Sequence, residues 1–251
     1  MNPNLIQSSN GTPWAAWQQG AHLARATWMN VQQLLPAGRR LVLIAPHPGD
    51  EILMAGGLLA NLRGREDDLV LISATDGEGS HPGCAHWTEH RLRRQRPLES
   101  RQALQALDLD LMRLDWRRLN LKDGGLPREE AFLVNHLTQV LRPDDVLMAT
   151  WRDDGHCDHE AVGRAAAQAA QARKAQLVEV PVWAWDWAQP DDPRLPWARA
   201  HRLQLDEASV ARKRKALAAH VSQLQTDGPR PAVLPVNLQE CLLQPFELVL
   251  L

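Results

Sequence analysis

Two apolar runs, each followed at once by a cluster of acidic and histidine residues, set the pattern of this chain. Residues 41–45 are uninterruptedly apolar, rich in β-formers and closed by Pro46, which predicts a strand buried on both faces. Pro48 and Gly49 then impose an irregular turn, and from Glu51 the apolar positions Ile52, Leu53, Leu58 and Leu59 fall at helical spacing. Residues 146–150 repeat the arrangement: a short apolar strand runs into Asp153-Asp154-Gly155-His156-Cys157-Asp158-His159 and then into an Ala-rich helix over 160–174.

The remaining pattern predicts strands at 69–74, 111–114 and 177–183 and a short one at 202–205. Helices are predicted at 14–35, at 87–107 with a kink or restart at Pro97, at 129–141, and at 207–224 with a strongly basic face. Gly64 reads as the cap that ends the helix after the first strand. Residues 1–12 read as a loose lead-in, 117–127 as a long loop and 184–198 as a Trp- and Pro-rich loop. Residues 232–251 read as irregular, with an apolar end at 246–250. Strands alternating with helices imply right-handed βαβ units. The expected fold class is therefore α/β, a mainly parallel sheet with helices on both faces, in one domain covering 1–251.

Composition narrows the function. A net charge of −2 offers no electrostatic footprint for nucleic acid or an anionic membrane surface. No apolar run approaches the roughly 20 residues of a membrane span, and the first residues lack the basic start and apolar core of a signal peptide. Three cysteines, Cys84, Cys157 and Cys241, are too far apart for a CxxC pair and odd in number, so no disulfide framework is expected. These features together place the protein in the cytoplasm. GxGxxG, GxxxxGK[ST] and GxSxG are absent, which removes dinucleotide, P-loop and serine-hydrolase readings.

The two clusters carry the chemistry. Both follow strand ends, where open α/β sheets place their ligands. His47, Asp50 and His159 together offer two imidazoles and one carboxylate, a set that suits one catalytic Zn2+ per chain with a position left for water. His156 is either a further ligand or a donor to an oxyanion. Asp158 either orients an imidazole or caps the helix ahead of Glu160. Cys157 reads as a packing residue. Asp76 and Glu78 follow the second strand, Arg96 and Glu99 have the spacing of a surface ion pair, and Asp123 has the setting of a turn residue. The run Arg212-Lys213-Arg214-Lys215 reads as a solvated helix face. His220 near its end reads as a surface imidazole that reaches the site only if the helix turns inward. Trp151, Trp183, Trp185, Trp187 and Trp197 are candidates for flat sugar-facing surfaces, with packing the ordinary role of each.

Taken together, these motifs resemble the PIG-L-type (LmbE-like) zinc-dependent N-deacetylases. The resemblance rests on Pro46-His47-Pro48-Gly49-Asp50-Glu51 and Gly155-His156-Cys157-Asp158-His159. It is supported by Thr75-Asp76-Gly77-Glu78, Arg96 with Glu99, Leu121-Lys122-Asp123-Gly124 and the 215–223 segment with Ala219-His220. It implies a Rossmann-like fold and hydrolysis of the amide of an N-acetylated amino sugar or a related small molecule. Within that resemblance His47, Asp50 and His159 are the zinc ligands, His156 stabilises the tetrahedral oxyanion and Asp158 orients His156. Arg96, Asp123, Gly49 and His220 are expected to face the substrate. The chain departs from the family pattern at one position: where the family carries an aspartate as general base, it has Gly49. Asp153 and Asp154, on the opposite loop, are the candidates to replace that base. The alternative is a catalytically weak or silent sugar-binding or metabolite-binding protein on the same scaffold.

Overall fold

The computed structural model describes residues 11–227 and 230–251; most of the expected lead-in at 1–12 lies outside them. Eight strands form one sheet: β1 (Thr27–Met29), β2 (Leu41–Ala45), β3 (Leu69–Thr75), β4 (Asp115–Leu121), β5 (Val146–Thr150), β6 (Gln176–Val180), β7 (Ala200–Gln204) and β8 (Phe246–Leu250). Their spatial order is β1-β7-β8-β6-β5-β2-β3-β4. The block β4-β3-β2-β5-β6 is parallel throughout, β8 pairs antiparallel with both β6 and β7, and β1 pairs parallel with β7.

Strand periodicity explains why β2 is apolar at every position. Leu41, Leu43 and Ala45 point into one core and Val42 and Ile44 into the other. The first core is closed by helices Asp50–Asn61, Glu89–Ala106 and Glu207–Leu217, through residues such as Ile52, Leu58, Leu104 and Leu217. The second is closed by Glu130–Val140 and Cys157–Arg173, where Leu133 and Leu137 face an alanine row, Ala161, Ala165, Ala166 and Ala169. Because β2 pairs with β3 on one side and β5 on the other, the chain reverses its winding between β2 and β5. That reversal opens a crevice at the carboxyl ends of these two strands, into which both His/Asp loops emerge.

Several sequence expectations change. Residues 111–114 form turns, and the strand starts at Asp115. β4 is an edge strand paired only with β3, so it needs no continuous apolar run and its polar residues hide it. The helix expected over 14–35 is broken at Gly20 and again at Thr27–Met29, which pairs with β7; Asn30 starts the next short helix with a capping box to Gln33. Glu89–Ala106 runs as one helix through Pro97. The helix expected over 207–224 stops at Leu217 and restarts at Val221, with His220 at the junction. Residues 232–251 are not irregular: Val236–Leu242 is helical, and β8 inserts between β6 and β7. No helix among the described residues is long and apolar enough to cross a membrane.

Lys213 also departs from expectation. It is buried, not solvated: its Nζ donates to Leu53 O at 2.9 Å and to Glu247 Oε1 at 2.8 Å. The Glu247 carboxylate in turn accepts the Gly57 and Leu58 N–H groups. The pair pins β8 to the helix that begins at Asp50. Removing one member leaves a buried, uncompensated charge, so Lys213→Met is expected to cost about 3–5 kcal/mol in urea unfolding. Lys213→Met/Glu247→Gln should recover at least half of that loss; equal destabilisation of the two variants would assign the effect to packing.

Candidate metal centre and active site

The turn after β2 is held by its own backbone and by the start of the next helix. His47 N–H donates to Asp50 Oδ2 at 2.9 Å, and Gly49 N–H donates to Glu51 Oε2 at 2.8 Å. Gly49 has φ +107°, a conformation that glycine adopts without the strain a side chain brings. Burial pushes the Glu51 carboxyl up to about 7, despite hydrogen bonds from Ser100 and the Gly49 backbone. Across the crevice, the loop after β5 ends at His156, which is the N-cap of helix Cys157–Arg173. Asp158 and His159 therefore lie on the first turn of that helix, which starts three residues earlier than the alanine pattern suggests.

These two loops bring His47, Asp50 and His159 together. Asp50 Oδ2 lies 3.2 Å from His47 Nδ1 and 3.3 Å from His159 Nε2. Each imidazole is held at its other nitrogen by a buried carboxylate. His159 Nδ1 is 2.8 Å from Asp154 Oδ2, and His47 Nε2 is 3.0 Å from Asp158 Oδ2. The hydrogen bond on the far nitrogen of each ring leaves the near nitrogen free to donate a lone pair. His159 Nε2 is fully buried and makes no hydrogen bond. An orphaned nitrogen beside a carboxylate, in a set of two nitrogens and one oxygen, fits a divalent cation.

The electrostatics agree. Burial disfavours the imidazolium form of His47, but Asp123, Asp158 and Asp50 outweigh it and hold this pKa well above the usual range. Burial also opposes protonation of His159, yet Asp50 and Asp154 raise it to about 9. Asp50 is held well below the usual carboxylate range: burial opposes ionisation, and His159 and His47 overcome it. The crevice is thus a buried negative region that positive charge stabilises.

His156 behaves differently. Burial, followed by the charges of His47 and His159, lowers it to about 3, so it is neutral at ordinary pH. Its Nδ1 accepts the Asp158 N–H at 3.2 Å, so the ring proton sits on Nε2. The ring lines the cavity and stacks on Trp183 with an interplanar angle of 19°. Its orientation comes from the Asp158 backbone. The Asp158 carboxylate is spent elsewhere, on His47 and on the Gly124 and Leu126 N–H groups at 2.7 and 3.0 Å.

The two candidate replacement bases do not serve. Asp154 is completely buried and accepts the Val182, Trp183 and Ala184 N–H groups besides His159. Its role is to fix His159 and the loop after β6. Asp153 is exposed and does not line the cavity. The backbone explains the difference: Gly155 turns at φ +82°, and Trp187 Nε1 donates to Asp154 O, which directs Asp154 inward and leaves Asp153 outside.

The cavity measures about 490 Å³. Asp123 reaches it from the loop after β4, with Oδ1 3.2 Å from His47 Nε2 and Oδ2 accepting the Gly79 N–H at 2.8 Å. Asp123 is therefore more than a turn residue. Arg96 is 2 % exposed, lines the cavity, and leaves Nε and Nη2 without hydrogen-bond partners. It forms no surface ion pair with Glu99, which is buried and accepts Ser222 N–H and Oγ–H. Asp76 and Glu78 bond Arg118 and Arg93 and act as loop supports. Cys157 is a half-buried thiol that burial pushes up to about 11, and its Sγ lies 3.7 Å from Asp158 Oδ1. His220 is completely buried, not a surface residue; burial and the Arg96 charge lower it to about 3. Sequence reasoning missed Gln223, which lines the cavity and donates from Nε2 to Pro48 O at 2.7 Å. Its signal was its place one helical turn after His220. Also missed was the wall formed by Pro231, Ala232, Val233 and Leu234, the last three in a stretch read as irregular.

Comparison with known proteins points the same way. The family model described as PIG-L: GlcNAc-PI de-N-acetylase matches residues 42–170, the span that holds both His/Asp loops. The chain is 25% identical over 226 residues to the 1D-myo-inositol 2-acetamido-2-deoxy-alpha-D-glucopyranoside deacetylase of Thermobifida fusca (strain YX), covering 80% of this chain and 72% of that one. The N,N'-diacetylchitobiose deacetylase of Pyrococcus horikoshii superposes with a TM-score of 0.59 at 17% identity, over 78% of this chain and 74% of its own. A conserved protein of Thermus thermophilus superposes with a TM-score of 0.52 at 24% identity, over 74% of this chain and 80% of its own. At these identities the two structures share the fold.

The cluster geometry makes two predictions. His159→Ala should abolish stoichiometric binding of a divalent metal, read by elemental analysis after dialysis. Asp154→Asn should retain the ligands but weaken metal binding by about 10–100-fold in competition with a chelator, because it releases the outer nitrogen of His159. Parent-like affinity in His159→Ala would mean that the metal sits elsewhere.

Proposed function

Because this chain belongs to the GlcNAc-PI de-N-acetylase (PIG-L) family, we propose that it hydrolyses the amide of an N-acetylated amino sugar, or of a related small molecule, with one zinc ion held by His47, Asp50 and His159. The observation that carries this reading is the pair of imidazoles aimed at Asp50 Oδ2, each backed by its own buried carboxylate. When bound there, zinc supplies Lewis acidity: it polarises an acyl oxygen and lowers the pKa of water towards about 7.

The rest is done by side chains of the cavity. Arg96 offers unpartnered N–H donors and Asp123 a carboxylate oxygen, a combination that suits sugar hydroxyls. In this reading they hold the sugar so that its acyl group lies over the His47–Asp50–His159 cluster. His156, neutral and protonated on Nε2, donates to the oxygen that becomes negative as the acyl carbon turns tetrahedral. His220, though buried, supports this site from behind Gln223 and does not touch substrate.

Proton transfer is the weak point of the site. No side chain projects from Gly49, and Asp154 and Asp158 have their oxygens committed. Loss of a dedicated general base lowers rate by about 10²–10⁴. The expected enzyme is therefore slow, and the second reading is a binding protein that retains the metal cluster without turnover.

Elemental analysis followed by amine-release assays on N-acetylated sugars decides between the two. Slow, saturable release of amine by zinc-loaded protein is expected, and His156→Ala should keep its metal while losing at least about 100-fold in kcat. Saturable sugar binding with full metal loading and no amine release would favour the binding protein. Loss of metal together with activity in His156→Ala would remove the oxyanion role.

A further inference from the structure

The space that a side chain at position 49 would take is filled from another part of the chain. A Cβ on Gly49 would lie 3.0 Å from Gln223 Nε2 and 3.6 Å from both Gln223 Oε1 and His220 Nδ1. The direction that a side chain at 49 would take is therefore the direction of the Gln223 amide. This amide does not float. Its Nε2 donates to Pro48 O at 2.7 Å and lies 3.3 Å from His220 Nδ1. Gln223 is 4% exposed, and its backbone N–H is bonded to His220 O in the first turn of helix Val221–Leu224. Ser222, its neighbour, is tied to Glu99 by two hydrogen bonds, so the short helix is also anchored to helix Glu89–Ala106.

Pro48 O can only accept, so its bond fixes which end of the amide is nitrogen and which is oxygen. The oxygen Oε1 is the end left for the cavity that Gln223 lines. We propose that Gln223 is the water-positioning residue of this enzyme: its Oε1 accepts a hydrogen bond from the attacking water at the place where the family's aspartate would stand. This rests on the deacetylase reading above. An amide oxygen orients the water but takes no proton. In the balanced reaction the water oxygen bonds to the acyl carbon, the C–N bond breaks, one water proton ends on the amine nitrogen, and the other leaves with the carboxylic acid to solvent. Gln223 divides the usual base's work, keeping orientation and giving up proton acceptance.

The same geometry says where a base can be restored. At position 49 it cannot be restored simply, because the backbone at φ +107° disfavours any side chain and the amide is in the way. At position 223 a carboxylate has the shape of the amide and gives up only the hydrogen bond from Nε2 to Pro48 O, whose place an oxygen then takes. The test uses the full-length zinc-loaded protein and N-acetyl-D-glucosamine as probe, with amine release followed from about pH 5 to 9 and metal content measured on each sample.

Gln223→Glu is expected to raise kcat at least tenfold and to add an acidic limb to the pH profile that the parent lacks. Gln223→Ala should lower kcat at least tenfold while KM and metal content change less than threefold. Gly49→Asp should give no gain. Gln223→Ala with parent-like kcat, or with metal and activity lost together, would overturn the positioning role and leave the deacetylase reading intact. Gly49→Asp gaining activity while Gln223→Glu does not would also overturn it. Should every form, the parent included, hold zinc and release no amine, the deacetylase reading fails and the positioning role falls with it. Gln223→Glu active beside a silent parent would support both.

Discussion

A cluster of buried carboxylates is the constraint around which this crevice is built. Asp50, Asp123, Asp154 and Asp158 converge on two imidazoles, His47 and His159, at the carboxyl ends of β2, β4 and β5, all buried or nearly so. An ionised carboxylate in such a place is costly unless it is hydrogen-bonded and paired. The protein solves this in two ways. Asp154 and Asp158 are satisfied by backbone N–H groups, five in all between them, and thereby lock the loops after β4 and β6 to the helix that carries His159. Asp50 is left to share one oxygen between two imidazole nitrogens, an arrangement that a divalent cation completes.

The scaffold makes that convergence possible at modest conformational cost. A parallel strand pair at the winding reversal delivers two loops to one point without long excursions, and both loops stop on helices whose first turns carry Asp50 and His159. Asp50 is the first residue of one helix, and His159 lies in the first turn of the other. The helices hold these side chains on rigid backbone and present N-terminal dipoles that favour the local carboxylates. The buried Lys213–Glu247 pair then ties the first helix to β8, so the far end of the chain steadies the helix that begins at Asp50.

What is legible in the sequence follows from local signals. β2 and β5 can be read at their observed bounds because a buried parallel strand is apolar at every position and punctuated at its end. The histidine and aspartate clusters stand out because several donor residues directly after such strands are rare by accident. Less legible is whatever depends on distant partners. β4 hides among charges because only one side of it is paired, and β1 hides within a helical-looking stretch because its partner, β7, comes more than 170 residues later. Lys213 looks solvated because its partner Glu247 is 34 residues away. Asp153 and Asp154 look interchangeable in sequence, since only the loop twist at Gly155 decides which carboxylate faces inward. Asp158 turns its carboxylate to His47 and only its backbone to His156, a division that spacing alone does not reveal. The roles proposed for His156, Asp50 and His159 come partly from resemblance, and the geometry is compatible with each.

We infer one metal ion between the near nitrogens of His47 and His159 and the carboxylate of Asp50. A second donor group exists on the other side of the same ring, where His47, His156 and Asp158 also bring ligand atoms within 4.8 Å of one another. Anomalous scattering at the zinc edge from crystals of the zinc-loaded protein separates the two directly. One peak about 2.0–2.2 Å from His47 Nδ1, His159 Nε2 and an Asp50 oxygen is the predicted result. A peak bound instead by His47 Nε2, His156 and Asp158, or no peak in the crevice, would contradict the account.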